Sequence, residues 1–177
     1  MTLDAGAAGD ERRAVAQLHL ILGPVGAGKS TYARTLCAEH RAVALILDDW
    51  MARLFGADIR PETGRVAWYL ERRDRVFEQI WQLTRQLVAV DTCVVLEVGL
   101  IRRMEREAFY RRVEDAGLGL TIHLLDADRE VRRERVLRRN QEKDVVQVVP
   151  LEFFEMASDL WEPPDDIELS ARDVRVR

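Results

Sequence analysis

At 177 residues the chain is one domain's worth of polypeptide, long enough to bury a substantial core. With 47% apolar and 33% charged residues it fits neither the disordered nor the membrane class, and a net charge of −4 argues against an overall basic nucleic-acid binder. Its two cysteines, Cys37 and Cys93, lack partners at metal-ligand spacing, which points to a reducing, cytoplasmic compartment with no membrane association.

Residues 1–15 are small and polar and read as a flexible leader; 16–177 reads as a single domain. Leu18 to Leu22 is an apolar run stopped by Gly-Pro, the mark of a buried strand before a turn. Lys29 to Glu39 has helical spacing with Tyr32, Ala33, Leu36 and Cys37 on one face. Ala42 to Leu47 predicts a second strand, and Trp50 to Phe55 a helix capped by Asp48 and Asp49. From Val66 to Val90 a long helix is predicted, with Val66, Leu70, Phe77, Ile80, Thr84 and Leu87 on its apolar face and Arg73 interrupting it. Thr92 to Val98 predicts a strand, Arg102 to Ala116 a helix ending at Gly117, and Leu118 to Leu125 another strand. Asp128 to Gln141 is an arginine-laden helix capped by Asp128, followed by a short helix at Leu151 to Leu160, the breaker Pro163-Pro164 and a last strand at Asp173 to Val176. Strands alternating with helices predict an α/β fold, a parallel sheet with helices on both faces.

Between the first strand and first helix stands Gly23-Pro24-Val25-Gly26-Ala27-Gly28-Lys29-Ser30, which matches G-x-x-x-x-G-K-[ST] at every position. Its glycines allow the backbone to wrap a phosphate, and its N–H groups gather at a helix N-terminus, where the dipole favours anions. The pattern predicts ATP bound by Gly23 to Thr31, with Lys29 on the β- and γ-phosphates, Ser30 on Mg²⁺ and Thr31 beside the α-phosphate.

With that cradle the chain resembles the small P-loop kinases that include phage polynucleotide kinase, chloramphenicol phosphotransferase and the zeta-toxin kinases, over about Gln17 to Glu168. The resemblance implies a three-layer P-loop NTPase sandwich with a five-stranded sheet in the order 2-3-1-4-5 and a lid around 128–145. In the family an acidic residue often ends the second strand in a D-D-x-R run; here Leu47-Asp48-Asp49-Trp50-Met51 makes Asp48 the implied general base, with Met51 where the arginine stands. The plain alternative for both aspartates is helix capping. The family's third strand usually ends in Asp, and Glu97 occupies that place; a carboxylate there can hold a metal-bound water or meet the substrate. Arg135, Arg139 and Asn140 resemble the lid motif R-x-x-x-R-N, and residues four apart share a helix face, so both guanidinium groups can meet one anion. Arg132 and Arg138 are lesser candidates, and a solvated helix with Glu130 and Glu134 paired to the arginines is the bland alternative. The tail from Trp161 to Glu168 also resembles the family's end, with no chemistry to assign.

His19, His40 and His123 are spaced as core or cap residues and have no hydrolytic partner. Trp68, Tyr69, Phe77 and Trp81 read as core or groove wall, while Arg72, Arg73 and Arg75 read as a solvated face from which one could line an anionic pocket. The resulting expectation is an ATP- and Mg²⁺-dependent kinase acting on a hydroxyl of a small molecule. A nucleic-acid 5′-hydroxyl kinase and an ATPase switch module are the alternatives, the nucleic acid being the less favoured acceptor. Nothing in the sequence specifies an oligomeric state.

Overall fold

Every predicted strand joins one sheet in the computed structural model, which describes residues 17–142 and 148–177. The leader expected over 1–15 and the end of the lid expected at 143–145 lie outside the described residues. Strands β1 (Leu18–Leu22), β2 (Val43–Ile46), β3 (Val94–Glu97), β4 (Leu120–Leu124) and β5 (Asp173–Val176) run parallel in the order β2-β3-β1-β4-β5, as the resemblance implies. Between them come α1 (Lys29–His40), α2 (Leu47–Phe55), α3 (Arg65–Ala89), α4 (Arg103–Asp115), α5 (Arg129–Asn140), α6 (Leu151–Asp159) and α7 (Asp166–Ser170).

The two-residue period of the strands divides the core in two. Leu18, Leu20 and Leu22 of β1, Val94 and Leu96 of β3 and Ile122 of β4 face α3 and α4, burying Ile80, Trp81, Phe109 and Tyr110 against them. The alternate residues Ile21 and Val95 face α1 through Ala33 and Leu36. Both sheet faces are therefore covered, as a parallel sheet requires.

Three local expectations are corrected. β2 passes straight into α2 at Leu47, so Asp48 and Asp49 do not cap a helix starting at Trp50; they are its second and third residues, and the N-cap, Ile46, offers no side-chain bond. Asp128 does occupy the N-cap of α5, but its side chain accepts no capping hydrogen bond. The apolar stripe of α3 holds only in its second half: Val76, Ile80, Trp81 and Thr84 are buried, whereas Val66 and Leu70 face solvent, because the first half of α3 projects beyond the sheet's main apolar face.

The acidic tail has a structural task that spacing could not disclose. Arg106 of α4 is fully buried and forks onto the buried Glu168, donating from Nε to Oε1 at 2.6 Å and from Nη2 to Oε2 at 2.9 Å. Its Nη1 donates to the Glu162 carbonyl at 2.8 Å, and the Tyr110 hydroxyl donates to Glu168 at 2.9 Å. Asp165 caps α7 by accepting from the Glu168 N–H at 2.8 Å and pairs with Arg103. The tail is thus stapled to α4. Glu168→Gln leaves the Arg106 charge buried without its counter-ion and should cost about 3–5 kcal/mol of unfolding free energy, read from denaturant midpoints. An unchanged midpoint would contradict the staple.

All three histidines meet on the α1 side of the sheet. The Arg177 Nε donates to the Tyr32 hydroxyl at 3.1 Å, so that hydroxyl is free to donate to His123 Nδ1 at 2.9 Å. His123 then carries its proton on Nε2 and donates to His19 Nδ1 at 3.1 Å, while the ring of His40 lies 4.4 Å from that of His19. Burial, reinforced by the neighbouring histidine charge, lowers His19 and His123 to about 4 from the ordinary 6.5. A histidine held neutral stabilises the fold fully above its unfolded pKa, and that contribution is lost as pH falls from 6.5 towards 4. Thermal melts should therefore drop between these two values, and His123→Gln should flatten the upper part of the slope. Equal slopes in both proteins would show that the pair contributes nothing.

Candidate functional site

The loop after β1 owes its shape to two close approaches. Gly23 (φ 150°) has no room for a side chain, since a Cβ there would lie 2.4 Å from the Leu125 carbonyl oxygen. Gly26 (φ 80°) would meet the Arg132 carbonyl at 2.7 Å. The loop leads into α1, whose N-cap is Gly28 (φ 97°) and whose first turn contains no acidic residue, so its free N–H groups and dipole face an open cradle. Lys29 curls back over the loop and donates from Nζ to the Pro24 carbonyl at 3.0 Å.

Glu97 stands opposite. It is 8% exposed, and its Oε1 lies 3.9 Å from Lys29 Nζ. Oε2 is buried without a hydrogen-bond partner. Burial pushes the Glu97 carboxyl above the usual carboxylate range, Asp48 adds to the rise, and Lys29 and the Ser30 hydroxyl oppose it. An orphaned acceptor beside Ser30 fits a magnesium ion whose waters Glu97 would receive, with Ser30 and phosphate oxygens as its direct ligands. Among the described residues no three His, Cys, Asp or Glu side chains come together as a metal cage.

Asp48 reaches the same space from the first turn of α2. Crowding by protein atoms lifts its carboxyl above the ordinary range, Asp49 adds to this, and Lys29, Arg139 and Arg73 oppose it. The residue is nonetheless exposed to solvent, which tempers the rise. Asp48 is thus within the field of one P-loop lysine, one arginine from the expected lid and one from α3.

The two lid arginines share the exposed face of α5, and Arg135 Nη1 donates to the Ala27 carbonyl of the loop at 3.4 Å. Arg132, ranked lower from its spacing, is the buried one: it donates to the Val25 carbonyl at 3.0 Å, the Ala127 carbonyl at 2.9 Å and Ser158 Oγ at 3.1 Å, with its guanidinium over Phe154. Arg132 therefore braces the phosphate loop against α5 and α6. Arg73, the interruption in the α3 stripe, bonds Glu105 at 3.2 Å, and Glu105 is anchored by the N–H groups of Ile101 and Arg102. Arg75 pairs with Glu71 on the exposed face, as expected of a solvated residue. Trp50 and Met51 part to opposite sides of α2: Trp50 lines an open recess beside β2, Met51 a smaller cavity against α3.

No helix among the described residues is long and apolar enough to cross a membrane. A family model described as an AAA domain matches residues 18–164. Among curated proteins none matches the chain. Solved structures do: Kti12 of Chaetomium thermophilum in complex with ADP-AlF3 superposes with a TM-score of 0.66 at 16% identity, covering 90% of this chain and 88% of that one. A gluconokinase from Sinorhizobium meliloti gives 0.54 at 15% identity, covering 93% and 83%. A chain of the Pnkp1/Rnl/Hen1 RNA repair complex gives 0.65 at 18% identity, covering 87% of this chain and 46% of that one. At such identities the shared property is the P-loop NTPase fold.

Proposed function

The chain belongs to the AAA domain family of nucleotide-binding P-loop folds, and on that premise we propose that it is an ATP- and Mg²⁺-dependent phosphotransferase acting on a hydroxyl of a small molecule. The observation that carries this reading is the phosphate loop with Lys29 Nζ 3.9 Å from the buried Glu97 carboxylate and Arg135 on the Ala27 carbonyl, while Asp48 stands in the first turn of α2, whose Met51 and Phe55 line a cavity against α3. An ATPase switch has no need of an acceptor base in that position. The similarity to a gluconokinase supports a small hydroxyl acceptor, and the similarity to Kti12 in complex with ADP-AlF3 supports nucleotide use.

In this reading the Asp48 carboxylate accepts the proton of the acceptor hydroxyl as its oxygen bonds to the γ-phosphorus. The bond from that phosphorus to the β-γ bridging oxygen breaks, and ADP leaves with the electron pair. Lys29, Arg135 and Arg139 offset charge on the phosphoryl oxygens, and Arg132 keeps the loop in register. Ser30, with Glu97 accepting from a metal-bound water, would hold a magnesium ion, which would supply further neutralisation of the phosphate charge.

The direct test is a screen of hydroxylated metabolites for phosphate transfer from labelled ATP. Transfer to a small acceptor is expected; ATP hydrolysis without any acceptor would favour the switch. Within an active system Arg135→Ala and Arg139→Ala should each lower turnover by about 10²-fold while changing ATP affinity much less, because their charge is needed most in the transition state. Full activity in both variants would return α5 to the solvated-helix reading.

A further inference from the structure

The cavity between α2 and α3, about 210 Å³, is lined by Met51, Phe55, Trp68, Tyr69, Arg60 and Val148 among others. Met51 and Phe55 stand three and seven residues after Asp48 on α2, so the candidate base and the cavity wall share one helix face. Its volume is below the roughly 300–1,000 Å³ of sites for drug-sized ligands, so its occupant is smaller than these.

Two arginines stand near these aromatic side chains, and only Arg60 is in the lining. Arg72 packs on the wall: its guanidinium lies 4.0 Å from the Trp68 ring centroid and 5.6 Å from that of Phe55, with Asp58 3.8 Å from its Nε, which is buried without a hydrogen bond. It stiffens the aromatic wall. Arg60 is exposed and has neither hydrogen bond nor ion pair among the described residues. Among the described residues no carboxylate lines this cavity. The larger recess beside β2 differs, since it sets Asp49 next to Arg53 and so offers an anion no net charge. On the remaining side Val148 is held through its neighbour: Asn140, the last residue of α5, donates to the Val149 carbonyl at 2.7 Å and accepts from the Val149 N–H at 3.0 Å. The cavity is thereby tied to the helix that carries Arg135 and Arg139.

We propose that this cavity binds a small hydroxylated anion, an alcohol bearing one carboxylate or phosphate group, with Arg60 taking the charge, the Trp68 and Tyr69 faces taking the carbon skeleton, and a hydroxyl turned towards Asp48. A planar guanidinium without a partner matches either anion by a two-point fork, and aromatic faces accept the apolar edge of a polyol. The direction of the hydroxyl rests on the phosphotransferase reading; the binding of the anion does not.

The test is ligand-detected saturation-transfer NMR on the full chain without nucleotide. The probes are D-gluconate and D-glycerate, glycerol 3-phosphate, and the neutral D-glucitol and glycerol. Anionic probes should bind and neutral ones should not at the same concentration, the carboxylate and phosphate arms telling which group is preferred. Arg60→Ala should weaken binding at least about tenfold, as expected for loss of a charge-assisted bond, and Arg60→Lys should restore part of it. Neutral probes binding as tightly as anions, no effect of Arg60→Ala, or no probe binding to a protein that still binds ATP would each overturn the assignment. Anions that bind through Arg60 but are never phosphorylated would instead sink the phosphotransferase reading and leave this site standing.

Discussion

Lys29→Ala should reduce phosphate transfer by about 10³-fold or more, the scale on which loss of a preorganised charge donor acts at a transferring group. Lys29 lies between the loop carbonyl of Pro24 and the Glu97 carboxylate, and its Nζ has only to swing from these to an incoming β- or γ-phosphate. Among the described residues no other lysine or arginine bridges the Pro24 carbonyl and Glu97: Arg132 is committed to the loop's backbone and Ser158, and Arg135 bonds the Ala27 carbonyl. Losing the lysine charge should also raise the Asp48 and Glu97 pKa values further, because that charge favours the ionised form of both carboxyls. Turnover is measured with saturating acceptor, and folding is checked by the unfolding midpoint. Near-native turnover in a folded protein would remove Lys29 from the groups that act on the transferring phosphate.

Asp48→Asn should be selective. The amide keeps the shape of the carboxylate and cannot accept a proton, so transfer should fall by about 10²–10⁴-fold while ATP binding persists. The pH profile adds a second readout. A base works only when deprotonated, and crowding by protein atoms, with Asp49 adding to it, moves the solvent-exposed Asp48 carboxyl upward, so the rate should climb with pH as that carboxyl titrates. In the asparagine variant this acid limb should vanish. Parallel losses of ATP affinity and rate, or an unchanged limb, would make Asp48 a structural or metal-associated group.

How far these residues could be read in advance depended on how local their signal was. The phosphate loop is eight consecutive residues whose spacing is itself the structure, and the strands announce themselves as short apolar runs between turns. Arg132 shows the opposite case. Its sequence neighbourhood is a dense run of arginines in which the R-x-x-x-R-N spacing favours Arg135 and Arg139 over it, and only the crossing of α5 over the loop makes it the buried brace. Arg73 was visible as a break in an apolar stripe, but its partner Glu105 is 32 residues away on another helix. The acidic tail looked featureless because its counter-charge, Arg106, lies 62 residues earlier than Glu168.

Composition, the two periodicities and one contiguous motif were sufficient for the α/β class, the strand positions and the phosphate cradle, because each rests on interactions between residues a few positions apart. The start of α2, the burial of Glu97, the aromatic cavity beside Asp48 and the freedom of Arg60 depended on the tertiary structure. These are set by which surfaces the parallel sheet brings together, and by the desolvation that follows when charged groups from distant segments share one cleft.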